Sequence, residues 1–350
     1  MGTPVVTILL AVYNGAQWVH EALDSALAQK RVQFEIVVVD DGSTDETPGI
    51  VAEYARTYPD LLRWVRIDHG GLSRARNVGF DMARGEFITV IDADDTMHPL
   101  RSWCEVEGLR RHPEAVICFS KRWNFRSGTE YGVFRFRAQD IVGHEVSSYV
   151  RIDDPSRVLL DAGEYPGTSA CTSRTSFSRG RGRYDEDQMS FVDGELWLRA
   201  VFDRAVVYCP VPVYLRRIHA ESMSRPSEAR LVQVYRATEK ARRNWSRYSP
   251  GLRRSLVAFE KRVGVALARE LMDAGYRRRA VVLLLRRGRK LRGRLWLRML
   301  IRGVVGPERF DRVRQRPRTE SQRKNGRAVV ALEEVLAADV DAILGEHTGK

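Results

Sequence analysis

"TVIDADD", residues 89–95, ends an apolar strand-forming run in three carboxylates, Asp92, Asp94 and Asp95, and the reading of the whole chain turns on it. Like charges this close repel one another, and they are poorly hydrated at the end of a buried strand unless a cation sits among them. The chain as a whole carries a formal net charge of +13, so the cluster is not part of a generally acidic surface. A divalent metal is the expected occupant.

Outward from this stretch, Val5–Val12, Phe34–Val39, Leu62–Ile67 and Phe87–Ile91 read as strands. After the first, "GAQWVHEALDSALAQ" sets Trp18, Ala22, Leu23, Ala26 and Leu27 at helical spacing, and "DETPGIVAEYARTY" follows the second. Continuous apolar strands, each followed by a helix, indicate a mostly parallel sheet covered on both faces, a doubly wound α/β fold. Ligands in such sheets gather at the carboxyl ends of the strands. The polar clusters fall there: "YNG" (13–15), "DDGSTDET" (40–47) and "DADD" (92–95).

Ser43 and Glu46 stand at capping-box spacing and would start the second helix, although turn chemistry alone accounts for Gly42, Ser43 and Thr44. In "GGLSRARNVG" (70–79), Ser73 can cap a helix whose first turns carry Arg74, Arg76 and Asn77. These are donors suited to an anionic diphosphate. Two arginines on a helix are equally an ordinary solvated face.

At 350 residues and 43% hydrophobic, the chain can bury the core of one large domain or two ordinary ones. Its four cysteines are scattered with no C-x-x-C pair, which argues against a zinc site or disulfide framework and suits a reducing cytosol. No apolar run reaches the roughly 18 residues of a spanning helix, and no leader pattern opens the chain.

As an ordered set, "VTILLAVYNGAQWVHEALDSALAQ", "FEIVVVDDGSTDET", "GLSRARNVGFDMARGEFITVIDADD", "FVDGELWLRAV" and "RRIHAESMS" resemble the inverting family 2 glycosyltransferases, which have the nucleotide-sugar-binding GT-A fold. The resemblance is dense over residues 3–95 and thinner over 191–224. It implies a GT-A-like sheet, a nucleoside-diphosphate sugar as donor (a UDP-sugar foremost) and Mn2+ or Mg2+ as cofactor. It also implies roles for residues. Tyr13 stacks on the nucleobase, Asp41 accepts a hydrogen bond from it, and Asp40 is the alternative partner. Asp92 and Asp94 match the family's D-x-D: Asp94 holds the metal, and Asp92 holds the ribose, the metal or both. Arg74 and Arg76 face the donor. His219 matches a family histidine near the metal and diphosphate. Hard oxygen ligands suit the ion.

Inversion at the anomeric carbon needs a base for the acceptor hydroxyl. The family takes it from an acidic pair, usually Glu-Asp before an aromatic residue. Here the corresponding stretch is "FVDGELWLR" (191–199), with Val192 in place of the first acid and Gly194 in place of the aromatic. Asp193 aligns with the second acid. Helical spacing sets it on a face with Trp197 and Val201, where apolar neighbours are expected, while Glu195 points elsewhere. A helix N-cap is the alternative role for Asp193.

The remainder is expected to supply the acceptor side. Residues 96–225 complete the catalytic domain that 1–95 begins, with Trp103, Trp123, Phe125 and Tyr131 as sugar-stacking or core aromatics. Arg174–Gln188 reads as a mobile loop by its Gly, Ser and charge content. Arg216, Arg217, Ser222 and Ser224 are candidate phosphate contacts on a closing loop. Residues 226–313 form a basic helical region, in which Arg294, Arg298 and Arg302 flank Trp296 on an amphipathic run, and 314–350 form a linker and terminal helix. Such a run fits either an anionic membrane surface, with a cytoplasmic protein peripheral on the inner face, or packing on the domain. No nucleic-acid module accompanies the basic charge.

The expected function is sugar transfer to a glycan, glycolipid or related acceptor in cell-surface polysaccharide synthesis. A catalytically silent nucleotide-sugar-binding or scaffolding protein is the alternative of another class. A nucleotidyltransferase would need a glycine-rich, lysine-bearing loop where "YNGAQW" stands.

Overall fold

The structure is a computed structural model that describes residues 3–126, 129–134, 148–155, 166–219, 228–243, 246, 248–273 and 280–281. The chain divides into two compact units, residues 1–260 and 261–350. The first unit extends past the boundary expected near residue 225 and takes in the helix Glu228–Arg242. The expected amphipathic run around Arg294, Arg298 and Arg302, the linker and terminal helix, and Ser222 and Ser224 lie outside the described residues.

Four apolar runs become the parallel strands β1 (Val6–Val12), β2 (Phe34–Asp40), β3 (Leu62–Arg66) and β4 (Phe87–Asp92). They pair in the order β3-β2-β1-β4. The helices between them are α1 (Val19–Leu27), α2 (Thr47–Thr57) and α3 (Leu72–Met82). Side chains alternate faces along a strand. Ile8, Leu10 and Val12 share one cluster with Val19, Leu23 and Val51 of α1 and α2, while Leu9 packs against Gly79 of α3. A β-carbon on Gly79 would lie 2.1 Å from Leu9 Cδ1, so the missing side chain lets α3 lie close to the sheet. Both faces of this half are covered, as its apolar runs require.

Beyond β4 the sheet becomes mixed. A short β5 (Thr96–Met97) and α4 (Arg101–Arg111) lead to β6 (Ile117–Arg126), β7 (Thr129–Phe134) and β8 (Val150–Ile152). Then come β9 (Cys171–Arg174), α5 (Thr175–Arg179), α6 (Val192–Leu196) with a π turn at Trp197–Val201, and β10 (Val206–Arg217). The sheet continues β4-β9-β6-β10-β5, with β9 antiparallel to both neighbours and β10 parallel to β6. Two further helices follow, α7 (Glu228–Arg242) and α8 (Pro250–Asp273). Among the described residues, no helix is long and apolar enough to cross a membrane.

The stretch expected as a mobile loop, 174–188, is instead tied to α3. Tyr184 N–H donates to Asn77 Oδ1 (2.9 Å), and Asn77 Nδ2 returns to Tyr184 O (3.0 Å) and Glu186 Oε1 (2.8 Å). Asn77 is therefore a buried cross-link and not a diphosphate donor. Neither expected cap forms. Ser73 Oγ donates to Gln188 O, and Gly71 occupies the N-cap of α3. Ser43 Oγ accepts from Asn14 N–H, and Glu46 occupies the N-cap of α2 without a side-chain bond. Trp103 packs on the core cluster of Val6, Cys104 and Leu109.

Candidate active site

Polar residues converge where β1, β2, β4 and β10 end. The first two loops are laced together by local chemistry. Asn14, at φ 50°, accepts Thr44 N–H on Oδ1 (2.8 Å), Gly15 N–H donates to Thr47 Oγ1 (2.9 Å), and Ala16 N–H donates to Asp45 Oδ2 (3.1 Å). This fixes Tyr13, whose ring is 47% exposed, at the mouth of the site. Asp40 is fully buried and turned into the fold, accepting Ser43 N–H (3.0 Å) and lying 3.3 Å from Arg66 Nε.

Asp41 is also buried, and its oxygens accept Gly70 N–H and Gly71 N–H, each at 2.8 Å. Two backbone amides leave about two of a carboxylate's roughly four acceptor sites for further bonds, and an imidazole ring hydrogen-bonded to the Asp41 main-chain O (3.0 Å) lies beside them. The ring belongs to His69, which sequence reading passed over. Its Nδ1 lies 2.9 Å from Asp41 Oδ2, and its ring stacks on Tyr13 with centroids 4.0 Å apart. The approach requires Gly42, at φ 75°, because a β-carbon there would lie 2.8 Å from His69 N. Signals for it were the glycines at 42, 70 and 71.

At the end of β4, Asp92, Asp94 and Asp95 each offer an oxygen within 4.8 Å of the others. Asp92 and Asp94 are each 33% exposed, whereas Asp95 is buried and faces inward. It accepts from the Tyr214 hydroxyl and from Arg217 N–H (2.8 Å). Burial first, then the charges of Asp94 and Asp92, push its carboxyl well above the usual range. Crowded hard oxygen donors of this kind fit Mg2+ or Mn2+, which take one or two carboxylates and complete their shell with water and phosphate oxygens. His219 Nε2 lies 2.8 Å from Asp94 Oδ2, so the two can face one ion.

Arg217 was expected on a closing loop as a phosphate contact. It is instead the buried last residue of β10, donating to Asp94 O (2.9 Å) and Glu21 Oε2 (2.7 Å), with its guanidinium 4.3 Å from the Trp18 ring centroid and 4.6 Å from that of Phe125. That stack also takes Phe125 out of the set of sugar-facing aromatics. Arg217 holds the acid turn in place.

Arg76 is 1% exposed and joins the two carboxylates the reaction would need: Nη2 to Asp92 Oδ1 at 2.6 Å and Nη1 to Asp193 Oδ1 at 3.0 Å. Burial opposes its charge, but Tyr184, Asp92 and Asp193 outweigh burial and keep it cationic. Its fork is spent on protein groups, whereas Arg74 stays exposed near Gly70.

Asp193 sits in the first turn of α6, 27% exposed, with a guanidinium as neighbour in place of the expected apolar setting. Glu195 is buried and held by Arg199 (2.6 and 2.9 Å), so it faces away from the cleft. Phe191, in the left-handed region at φ 62°, folds its ring over Gly194, where an added β-carbon would meet ring carbons at 2.2–2.5 Å. An aromatic ring therefore covers the position where the family pattern has one, supplied from three residues earlier.

Likenesses to known proteins bear on this arrangement. Residues 7–181 match the model of glycosyl transferase family 2. The chain is 30% identical over 240 residues to EpsH of Bacillus subtilis (strain 168), whose name places it among glycosyltransferases, covering 67% of this chain and 66% of EpsH. It is 46% identical over 100 residues to the succinoglycan biosynthesis protein ExoO of Rhizobium meliloti (strain 1021), 28% of each. The chain thus spans just under two thirds of the first relative and little more than a quarter of the second. Among solved structures, TarS of S. aureus in complex with UDP-GlcNAc superposes with a TM-score of 0.54 at 18% identity, over 88% of this chain and 83% of that one. The mannosyltransferase PcManGT of Pyrobaculum calidifontis, in complex with GDP-Man and Mn2+, gives 0.54 at 19% identity over 87% and 81%. At these identities the likeness concerns the fold, which is GT-A-like as expected. The family match runs from the first strand through the acid cluster to the end of α5, half of the chain, and on that ground the chain belongs to glycosyl transferase family 2.

Proposed function

We propose that the protein is an inverting glycosyltransferase that moves a sugar from a nucleoside-diphosphate sugar to an acceptor hydroxyl. The observation that carries this reading is Arg76, one buried guanidinium shared by a carboxylate of the acid cluster and by Asp193. A donor-side acid and a candidate base are thereby held a single side chain apart.

Asp193, partly open, would accept the acceptor's hydroxyl proton while the new oxygen–carbon bond forms and the bond from the anomeric carbon to the diphosphate breaks. Arg76 orients that carboxylate and Asp92. Tyr13 would carry the nucleobase, and Asp41, with acceptor sites to spare, would take one hydrogen bond from it. Asp94, with His219 and Asp92, would hold Mn2+ or Mg2+, which when bound supplies positive charge to the leaving diphosphate. Arg74, the exposed arginine of α3, is the nearer candidate for a diphosphate contact.

UDP-sugars are the first donors to test, supported by TarS, while the GDP-Man complex of PcManGT keeps guanosine donors in the set. A glycan or lipid-linked acceptor in surface polysaccharide synthesis is supported by ExoO's name. The basic run around Arg294, Arg298 and Arg302 would bring the protein to the anionic inner face of a membrane where such acceptors reside.

The test is calorimetric binding of nucleoside diphosphates with and without Mn2+. Asp94→Asn should abolish the metal-dependent part of the affinity and leave the melting temperature of the free protein unchanged. Unchanged affinity in Mn2+ would sink the metal assignment, and tight binding without any sugar transfer would favour the silent binding protein.

A further inference from the structure

We propose that His69 is the positioning residue of the nucleobase subsite, which presupposes the donor reading above. Both atoms near its Nδ1, Asp41 Oδ2 at 2.9 Å and Asp41 O at 3.0 Å, can only accept a hydrogen bond. Nδ1 therefore carries the proton, and the ring is fixed in plane and tautomer by the residue it serves. The same ring covers one face of Tyr13, at 4.0 Å between centroids and 26° between planes. Stacked aromatics at this distance attract one another beyond their buried area.

The consequence is a platform built before any ligand arrives. Tyr13 and Asp41 lie in loops that follow different strands, and the His69 side chain touches both. At 4.0 Å between centroids the two rings are already in van der Waals contact, so no planar base fits between them and it takes the outer face of Tyr13. His69 does not need to contact the base. It acts by removing the freedom of an exposed tyrosine and by holding the main chain of Asp41, whose carboxylate keeps acceptor sites beyond those taken by Gly70 and Gly71. Ordering two groups in advance is binding energy that the ligand does not have to supply.

The side chain of His69 is 53% exposed, so its replacement leaves the core intact. Binding is measured by calorimetry in Mn2+ for two probes: the nucleoside diphosphate that wild type binds best among UDP, GDP, ADP and CDP, and inorganic pyrophosphate, which has no base. His69→Ala should weaken the nucleoside diphosphate about tenfold and leave pyrophosphate within about twofold. His69→Phe keeps a ring behind Tyr13 without the bond to Asp41 and should recover part of the loss. An equal loss for both probes, or no loss for the nucleotide, overturns the proposal. If wild type binds pyrophosphate but prefers no nucleotide over it, the donor reading fails together with the inference.

Discussion

The two halves of the catalytic unit hold their functional groups by different means. In residues 3–95, the residues that follow β1 and β2 are held mainly by main-chain amides and short polar side chains, Asp41 by Gly70 and Gly71, Asp40 by Ser43 and Asn14 by Thr44, with Arg66 beside Asp40. In residues 96–219 the grip comes from arginines that cap main-chain carbonyls far away in sequence. Arg101 reaches Val90 O and Ser169 O, Arg174 reaches Leu109 O and Ala115 O, Arg179 reaches Phe80 O and Ala83 O, and Arg217 reaches Asp94 O. A parallel sheet presents its strand ends in register, so adjacent loops satisfy one another. The arginines of the mixed half reach carbonyls on both sides of the division, Val90, Phe80, Ala83 and Asp94 in the first half and Ser169, Leu109 and Ala115 in the second, so the guanidinium's several donors tie the two halves together. Part of the basic excess is thus spent inside the fold.

The sharpest way to break this comparison is Arg101→Met. Arg101 and Glu105 are both fully buried and 3.3 Å apart, and burial already raises the Glu105 carboxyl although Arg101 and Thr172 oppose it. Leaving Glu105 without its cation should cost about 3–5 kcal/mol in urea unfolding. A loss under about 1 kcal/mol would show that the mixed half does not depend on its arginines.

Next in size is Asp193→Asn, expected to lower turnover by roughly two or more orders of magnitude with donor affinity intact. Because Glu195 is buried against Arg199, Glu195→Gln should act on stability and not on turnover. The reverse pattern would remove Asp193 as the base.

Arg76→Lys sharpens the link between the halves. Lysine keeps the charge but cannot serve both carboxylates through a fork. Turnover should fall roughly tenfold or more while the nucleoside-diphosphate affinity changes little. Loss of affinity equal to the loss of turnover would instead make Arg76 a donor ligand.

The smallest effect belongs to the first half. For Asp45, burial is the largest single influence and raises its carboxyl, but the bonds from Thr47 and Ala16 together outweigh it and hold the group below the usual carboxylate value. A group lowered on folding contributes stability above its unfolded value and loses it as pH falls through the folded one. Asp45→Asn should therefore destabilise by less than about 1 kcal/mol at neutral pH and nothing near pH 2, because the site is largely exposed. A pH-independent loss would mean that the charge plays no part in tying the loops.

The sequence alone determined the first four strands, their parallel direction and the location of the acids. These depend on local pattern: a run such as "FITVID" is apolar because both faces of its strand are buried, and the turn residues after it mark the sheet's ligand-binding edge. It also separated Asp193 from Glu195, because helical spacing is a local property. Only the tertiary structure decided how these residues are wired. Arg76 and Asp193 are separated by 117 positions, and Arg217 and Glu21 by 196. No spacing rule connects positions so far apart. Ser43, Ser73 and Asn77 looked like caps and phosphate donors, yet each found a closer protein partner once the loops met. Whether a polar side chain serves ligand or protein depends on which groups folding brings within hydrogen-bonding reach, and that is a property of the packed chain.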